Sequence, residues 1–376
     1  MYLSLPRIFS PFGDEDALFN ACCDGKRAFK KENFINKDML VGKIDLSLPN
    51  FSHNTPKMYQ TRTNQILLAT ILALENEIKN AIKRYGKDRI GVVIGTTTAG
   101  MEENYEAFRD GGFCSDKFIM GRNALSNPAN FVREFLGLES LSMGVSTACT
   151  SGIKAFESAR NFIKLDLCDA VIVGGVDSLS SLTLLGFDSL GVLSDNPSRP
   201  FCKDRDGINI GEAAAAFLMC RDKISDYRLK MVETNCDAFH ITQPNPEATE
   251  QIKLINSLTS KYKIDYINAH ATGTQANEIM ESKAIFNTLA DTPTSGIKAN
   301  IGHTLGAAGA VEAGICLMAI KNQMIPMQIL DELDGDLLPI NLATKSTKSV
   351  IKNCLNLSFA FGGDNAGMVV GVDDES

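Results

Sequence analysis

The chain has no excess of basic residues, no long apolar run and no low-complexity tract. Its 376 residues carry a net charge of −8, which argues against a nucleic-acid partner, because nucleic-acid-binding domains present a basic face. We find no apolar run of membrane-spanning length, and residues 1–13 lack the basic start and apolar stretch of a signal peptide. We therefore expect no membrane insertion. The length and the 44% hydrophobic content fit one large or duplicated α/β unit.

Close pairs of metal-ligating residues are also missing. The ten cysteines lie at irregular spacings, which indicates reduced thiols in a cytoplasm rather than a disulfide framework. A zinc site built from cysteine and histidine is a competing hypothesis, but no CxxC or HxxxH pair supports it. We therefore expect no metal.

Cys149 lies where a strand is predicted to turn into a helix. Residues 141–146 have the character of a short strand of small residues, and apolar residues recur at helical spacing from about Gly152. A thiol at this junction faces the positive end of the helix dipole and free backbone N–H groups. This position predicts a lowered pKa for the thiol and a binding site for an oxyanion. A buried structural cysteine is the alternative.

Two of the four histidines, His270 and His303, lie in Gly/Thr-rich turns that follow strand-like runs. The run before His303 is residues 298–302, and a helix is predicted over 310–320. A lone histidine is more often a hydrogen-bonded core residue. Two histidines in such turns, together with the thiol, favour nucleophilic catalysis.

At these residues the sequence resembles the elongating β-ketoacyl-[acyl carrier protein] synthases, the condensing enzymes of fatty acid and polyketide synthesis. Six blocks follow the order of that family and span most of the chain. They are STACTSG, AVIVGGVDS, SRPFCKDRDGINIGEAAA, NAHATGTQANEIME, IKANIGHTLGAAGAVEA and NLSFAFGGDNA. The resemblance implies a thiolase-type α/β fold, in which two duplicated halves form a five-layer αβαβα core.

The pattern of predicted elements also suggests a duplication. In each half a long helical run precedes an apolar strand, and a strand, a Gly/Ser/Thr turn and a helix follow. In the first half the helical run is 59–85 and the strand is 90–94; in the second half the helical run is 249–262 and the strand is 264–269. A charged stretch at 221–227 marks the boundary, so the predicted halves are 1–220, with the nucleophile, and 221–376, with the two histidines.

The resemblance assigns the chemistry to three residues. Cys149 would hold the growing acyl chain as a thioester, and neutral His270 and His303 would donate N–H groups to the enolate formed when a malonyl thioester loses CO2. Priming synthases carry asparagine at the position of His303, and thiolases need a second active cysteine. The expected reaction is therefore decarboxylative Claisen condensation with malonyl-[acyl carrier protein]. The product would be a 3-oxoacyl-[acyl carrier protein], made without a cofactor beyond the carrier's phosphopantetheine arm.

Further residues match family positions around that site. Lys298 matches the active-site lysine and Glu281 its acidic companion, which predicts a Lys298–Glu281 ion pair that orders the histidines. A solvated surface pair is the alternative. Thr272 and Thr274 match contacts to the pantetheine arm, and their alternative is simple turn formation.

Phe361 matches the gating phenylalanine of the family. Its backbone N–H is expected to complete the oxyanion hole with that of Cys149, and Gly362 and Gly363 would give the gate its backbone freedom. An ordinary core phenylalanine is the alternative for Phe361.

Three departures from the family pattern leave the substrate open. Ala271 and Ala360 stand where the family often has glycine, and Asp364 replaces a common threonine. The sequence does not distinguish a substrate from ordinary fatty acid elongation from one of a specialised polyketide or polyene pathway.

The resemblance also implies a dimer of identical or related subunits, in which residues near Thr98 reach the partner's acyl pocket. The acyl carrier protein is acidic in this family, so an enzyme of net charge −8 needs a local basic patch to attract it. The candidates for this patch are Lys57, Arg62, Arg122, Lys203 and Arg205. Scattered solvated charges are the alternative.

Two other functional classes stay open. The first is another acyl-thioester enzyme such as a thiolase, which would release no CO2 from malonyl carrier protein. The second is a non-catalytic or weakly active partner subunit of a heterodimeric synthase. The intact set of Cys149, His270 and His303 argues against the second class.

Overall fold

The computed structural model describes residues 1–111 and 116–373. In chain order its strands are β1 (Tyr2–Leu3), β2 (Arg7–Phe9), β3 (Lys30–Phe34), β4 (Lys37–Val41), β5 (Ile90–Gly95), β6 (Ser142–Val145), β7 (Ala170–Asp177), β8 (Ala213–Cys220), β9 (Tyr227–Cys236), β10 (Tyr266–Asn268), β11 (Thr294–Ser295), β12 (Met324–Ile325), β13 (Thr347–Lys348), β14 (Asn353–Ala360) and β15 (Asp364–Val372).

Eleven α-helices are described between these strands. They are α1 (Glu15–Cys23), α2 (Arg62–Ala73), α3 (Glu75–Tyr85), α4 (Met101–Gly111), α5 (Asn127–Leu136), α6 (Ser151–Lys164), α7 (Ser181–Ser189), α8 (Thr249–Thr259), α9 (Gln275–Leu289), α10 (Lys298–Ile301) and α11 (Ala308–Asn322). The predicted helical run 59–85 is divided at Leu74 into α2 and α3.

One large sheet runs through the molecule in the order β11-β10-β14-β15-β9-β1-β8-β7-β5-β6, with β2 also on β8. In the first half β5 is parallel to β6 and β7, and β8 is antiparallel to β7. In the second half β10 is parallel to β11 and β14, and β15 is antiparallel to β14. The two halves therefore repeat one strand pattern. The short strand β1 joins them, because it pairs with both β8 and β9.

Helices cover the sheet in three layers. The helices α6 and α11 lie side by side in the middle and contact strands of both halves, whereas α2 and α5 cover the outer face of the first half. The helix α8 covers the second half and packs on α9. This is the predicted five-layer α/β arrangement, which is confirmed. The division at 220/221 falls between β8 and β9 and stays a prediction as a domain boundary.

Helix α11 has apolar residues on all of its faces because it is buried on all of them. Its residues Ala308 to Ile320 are buried, as expected for a helix enclosed by two sheet halves. The segment Leu305–Asn322 also has the length and the mean hydropathy, 1.2, of a candidate membrane span, contrary to our expectation that no run would reach that length. However, 89% of it is buried inside the protein, where it forms the central layer.

One predicted element is wrong. Residues 298–302 were expected to form a strand before His303, but Lys298–Ile301 is a single helical turn, and the strand of this segment is β11. β11 ends at Ser295, and the following residues instead close a turn, in which the backbone N–H of Asn300 donates to the carbonyl of Ile297 at 2.9 Å and that of Gly302 to the carbonyl of Lys298 at 2.9 Å.

Candidate active site

Cys149 lies on a tight turn between β6 and α6. Ala148, just before it, has a φ of 53°, a left-handed conformation that a non-glycine residue adopts at an energetic cost. The turn is held by Ser151, whose hydroxyl accepts a hydrogen bond from the backbone N–H of Thr147 at 2.9 Å. Helix α6 then begins at Ser151 with Thr150 as its N-cap residue. The predicted strand–turn–helix setting of Cys149 is confirmed.

His270 follows β10 and is held in place by Glu281 from α9. One carboxylate oxygen of Glu281 accepts the backbone N–H of His270 at 2.6 Å, and the other accepts that of Ala271 at 2.8 Å. Ala271 has a φ of 45°, which explains why glycine would be favoured at this position. Glu281 therefore fixes the main chain of the His270 turn.

His303 lies beyond α10 and Gly302. Its backbone N–H donates to the carbonyl of Asn209 at 2.7 Å. The ring atom Nδ1 accepts the backbone N–H of Leu305 at 3.1 Å, so Nδ1 carries no proton and the proton of the neutral ring sits on Nε2. That Nε2–H group points at the sulfur of Cys149, with an Nε2–Sγ distance of 3.0 Å.

The three side chains converge at one point. The closest nitrogen and sulfur atoms of Cys149, His270 and His303 lie within 4.8 Å of one another, and the two imidazole centroids are 5.4 Å apart in an edge-to-face arrangement. Such a triangle resembles a metal site. A metal ligand must offer a lone pair, however, and Nε2 of His303 carries a proton in this hydrogen-bond pattern. At His303 the geometry therefore favours an N–H donor over a metal ligand.

Burial sets the charge of the site. It lowers the pKa of both His270 and His303 well below the ordinary value, with the positive charge of Lys298 acting in the same direction. It also raises the pKa of Cys149 to about 12, since desolvation outweighs the attraction of Lys298. Our expectation of a lowered thiol pKa is therefore wrong for the unliganded protein. The resting state is a neutral thiol beside two neutral imidazoles.

Lys298 does not pair with Glu281 as predicted. Its ammonium group donates to Glu312 of α11 and to the backbone carbonyl of His270, and it lies 3.3 Å from Nδ1 of His270. Both charged side chains are buried, with 2% and 1% of their surface exposed. Burial raises the pKa of Glu312 to about 7, although Lys298 opposes the shift. Sequence reasoning missed Glu312, a lone acid inside an apolar helix.

A second missed residue, Asp177, ties the two halves together beside the site. Its buried carboxylate accepts hydrogen bonds from the hydroxyls of three consecutive threonines and from two of their backbone N–H groups. It also accepts the backbone N–H of Gly306, three residues after His303, at 2.6 Å. The signal for it was present, because Asp177 is an acidic residue at the end of a fully buried strand.

A cavity of about 480 Å³ opens onto the thiol. Most of its wall is apolar, and its lining includes Cys149, His270, His303, Thr272, Thr274, Phe187, Phe359 and Phe361. Thr274 is the N-cap residue of α9, and its hydroxyl lies 3.1 Å from that of Thr272. The two hydroxyls predicted to contact pantetheine therefore lie on the wall of the same cavity as the thiol.

The loop that carries Phe361 forms part of the cavity wall. Phe361 is 39% exposed and packs against Phe187 with ring centroids 6.0 Å apart. Gly362 and Gly363 have φ values of 85° and 75°, so both need the left-handed freedom of glycine. Ala360 ends β14 without such strain and also lines the cavity. The gating and oxyanion roles of this loop stay predictions.

Thr98 is placed differently from the other predicted substrate contacts. It is buried, and its hydroxyl donates to Asp177 at 2.8 Å, whereas its neighbour Thr97 lines the cavity. The Thr98 side chain therefore does not line this cavity, and its contact with substrate stays a prediction. Its proximity to a partner's pocket stays a prediction.

The five candidate docking residues divide into two groups. Arg205 is buried between Asp334 and Glu278, and Arg62 is bound to the buried Glu212 and the carbonyl of Ile44. Arg205 is 1% exposed, which makes its assignment to a docking patch wrong. Arg62 is 31% exposed, so docking by Arg62 stays a prediction. Lys57 and Lys203 are exposed, although Lys203 lies 3.7 Å from Glu332, and Arg122 is half-buried. Docking by these three stays a prediction.

The nine described cysteines are all free, which agrees with the absence of a disulfide framework, and Cys114 lies outside the described residues. The remaining two histidines, His53 and His240, are exposed and lie outside the cavity lining.

Comparison with known proteins gives concordant matches in sequence and structure. A 3-oxoacyl-[acyl-carrier-protein] synthase 2 of Coxiella burnetii is 34% identical over 318 residues, which are 75% of this chain and 75% of that protein. The tetracenomycin polyketide synthase ketoacyl synthase alpha subunit of Streptomyces glaucescens is 30% identical over 381 residues. The match covers 89% of this chain and 87% of that protein.

A solved ketosynthase from Xenorhabdus doucetiae, in complex with its chain length factor, superposes with a TM-score of 0.92 at 33% identity and covers 99% of this chain and 97% of its own. The family models for the β-ketoacyl synthase N-terminal and C-terminal domains match residues 24–224 and 228–330. The chain therefore belongs to the β-ketoacyl synthase family.

Proposed function

We propose that this chain is a 3-oxoacyl-[acyl carrier protein] synthase that condenses an acyl group, held on Cys149, with malonyl-[acyl carrier protein]. The observation that carries the proposal is the contact between the thiol of Cys149 and the Nε2–H group of His303, 3.0 Å apart at the cavity wall. It supports the proposal because it gives a nucleophile and an oxyanion donor in one apolar pocket, with His270 as the second donor.

In the first step the sulfur of Cys149 attacks the carbonyl of the incoming acyl thioester. A new C–S bond forms to Cys149, the C–S bond to the carrier breaks, and the thiol proton of Cys149 ends on the departing carrier sulfur. The raised pKa of Cys149 fits a thiol that loses its proton only during the attack. The oxyanion of this step would be held by the backbone N–H groups of Cys149 and Phe361.

In the second step the malonyl group loses CO2 and forms an enolate. Once Cys149 is acylated, the Nε2–H of His303 is free to donate to the enolate oxygen together with His270. Both imidazoles are neutral because burial lowers their pKa, so each retains one N–H without carrying a charge. The enolate carbon then attacks the acyl carbonyl, the C–S bond to Cys149 breaks, and the departing thiolate takes up one proton from solvent.

For the assembly we propose a dimer with a related subunit. The support is the 33% identity over almost the whole chain to a ketosynthase that was solved with its chain length factor. A homodimer remains the second arrangement, and size measurement of the purified chain with and without a co-expressed related subunit separates the two. We further propose that the enzyme works in the cytoplasm, where free cysteines stay reduced.

The test is a condensation assay with acyl- and malonyl-[acyl carrier protein], followed by mass spectrometry of the carrier. A 3-oxoacyl carrier two carbons longer than the acyl primer, formed with release of CO2, is the expected product. Cys149→Ala serves as the negative control. If a product forms without loss of CO2, the chain is a thiolase-type enzyme; if no product forms with any related subunit present, it is a non-catalytic partner.

A further inference from the structure

Asp364, which follows the loop that carries Phe361, has one partner on helix α6 and another at the N-cap of that helix. Asp364 is the first residue of β15, and one of its carboxylate oxygens accepts a hydrogen bond from the ammonium group of Lys154 at 2.6 Å. The other oxygen accepts the hydroxyl of Thr150. The main chain of Phe361 is thus three residues from a link to α6, and Thr150 is the neighbour of Cys149.

The Lys154–Asp364 pair is more enclosed than an ordinary surface pair. The side chains are 21% and 22% exposed, and Thr150 is fully buried. Solvent screens such an enclosed ion pair less than an exposed one. The second hydrogen bond, from Thr150 to Asp364, further fixes the carboxylate. Neither Lys154 nor Asp364 lines the cavity, so the pair acts on substrate only through the groups that it positions.

The other contacts of the loop lead away from α6. Its backbone is attached to the neighbouring segment 237–241 through Asp237 N–H to the Gly363 carbonyl and Gly362 N–H to the Ile241 carbonyl, each at 2.8 Å. The side chains of Cys236 and Asn365 also contact the carbonyl oxygens of Gly362 and Gly363, at 3.6 and 3.2 Å. Among these contacts only the link from Asp364 reaches the helix beside the nucleophile, and the two glycines with positive φ lie between that link and Phe361.

We propose that Asp364, through Lys154 and Thr150, is a positioning residue that holds Phe361 at a fixed place relative to Cys149 and thereby restricts which acyl groups reach the thiol. A long acyl chain that must displace Phe361 works against this link, whereas a short chain does not. The inference rests on the proposed acylation of Cys149.

The experiment compares acylation of Cys149 by butanoyl and dodecanoyl pantetheine thioesters, followed by intact mass, in the wild type and in Asp364→Asn. Asparagine keeps the shape and a hydrogen-bond acceptor for Thr150 but removes the ion pair. We expect the ratio of the dodecanoyl rate to the butanoyl rate to rise about 3–10-fold, equivalent to about 0.7–1.4 kcal/mol. Lys154→Met should raise the ratio similarly, and the double variant should not exceed either single variant, because all three break the same link.

Asp169→Asn is the matched control. It removes the Arg89–Asp169 ion pair, which has a similar length of 2.8 Å and similar exposure, 30% and 27%, but lies at the opposite ends of strands β5 and β7 from the site. The control should leave the ratio unchanged. An unchanged or lower ratio in Asp364→Asn and Lys154→Met, or an equal rise in Asp169→Asn, would overturn the positioning inference alone. A wild type that is not acylated at Cys149 by either thioester or by acyl carrier protein would overturn the proposed function and this inference with it.

Discussion

Removing Lys298 should destabilise the protein in a way that depends on pH. In Lys298→Met, Glu312 is left buried without its cationic partner, and the carbonyl of His270 loses a donor. Breaking a buried ion pair from one side costs about 3–5 kcal/mol. At roughly 2 °C per kcal/mol for a protein of this size, the melting temperature should fall by about 6–10 °C.

The pH dependence follows from the carboxyl group. The pKa of Glu312 is already raised by burial to about 7 with Lys298 present, and the loss of Lys298 raises it further. A carboxyl whose pKa is higher in the folded than in the unfolded chain destabilises the fold above its unfolded pKa, and the penalty grows as pH rises to the folded value. The gap in melting temperature between wild type and Lys298→Met should therefore widen between pH 6 and pH 8.5.

The matched control is the double variant Lys298→Met/Glu312→Gln, measured by thermal unfolding at several pH values. It removes both partners of the Lys298–Glu312 ion pair, so it should recover most of the lost stability and show a much smaller widening of the gap. Its malonyl decarboxylation should nevertheless stay about 10–100-fold below wild type, since Lys298 no longer orients the His270 ring. A gap for Lys298→Met that does not change with pH would refute the assignment of Glu312 as its partner.

Three further outcomes follow from the site and its surroundings. Alkylation of Cys149 by iodoacetamide should accelerate about tenfold per pH unit between pH 7 and 9. With a pKa of about 12, the thiolate fraction of Cys149 rises throughout this range. A plateau in the alkylation rate would show a lowered pKa instead. Replacing His270 or His303 by alanine should slow malonyl decarboxylation about 10²–10³-fold, because each removes one N–H donor to the enolate. Wild-type rates in both variants would contradict the mechanism. Charge reversal of Lys57 and Lys203 together should raise KM for carrier-bound substrate but not for pantetheine thioesters. Equal losses of activity with both substrates would exclude carrier docking by these two lysines. Arg205→Glu should instead destabilise the fold, because Arg205 is buried.

The sequence was sufficient for the elements that rest on local pattern. The apolar strand at 90–95, the turn at Cys149 and the helix after it all have a periodicity that is set within a few residues. The segment 298–302 was misassigned because its alternation of polar and apolar residues fits a strand equally well. Only the end of β11 and the packing of the next turn decide the matter, and both are tertiary effects.

The partner of Lys298 could not be chosen by spacing alone. Glu281 and Glu312 are both acidic residues on helices that the fold brings to the site, and only the relative placement of α9 and α11 selects Glu312. A stricter rule would have found it: an acid in the middle of a completely buried helix requires a partner. The same rule applies to Asp177, which ends an apolar strand, whereas the burial of Arg205 is not visible in its polar local sequence.

The thiol pKa shows the limit of reasoning from one effect. The helix N-terminus favours the thiolate, but the enclosure of Cys149 by the second half of the chain disfavours it more strongly. That enclosure arises from contacts with His303 and its loop, more than a hundred residues away. It could not be weighed before the two halves were placed together.

The proposed condensation depends on acylation of Cys149. Peptide mapping after incubation of the protein with acyl-[acyl carrier protein], with all ten cysteines covered, detects this step. We expect an acyl adduct on the peptide that contains Cys149, absent from Cys149→Ala and discharged when malonyl-[acyl carrier protein] is added. An adduct on another cysteine, or an adduct on Cys149 that malonyl carrier does not discharge, would exclude this role for Cys149.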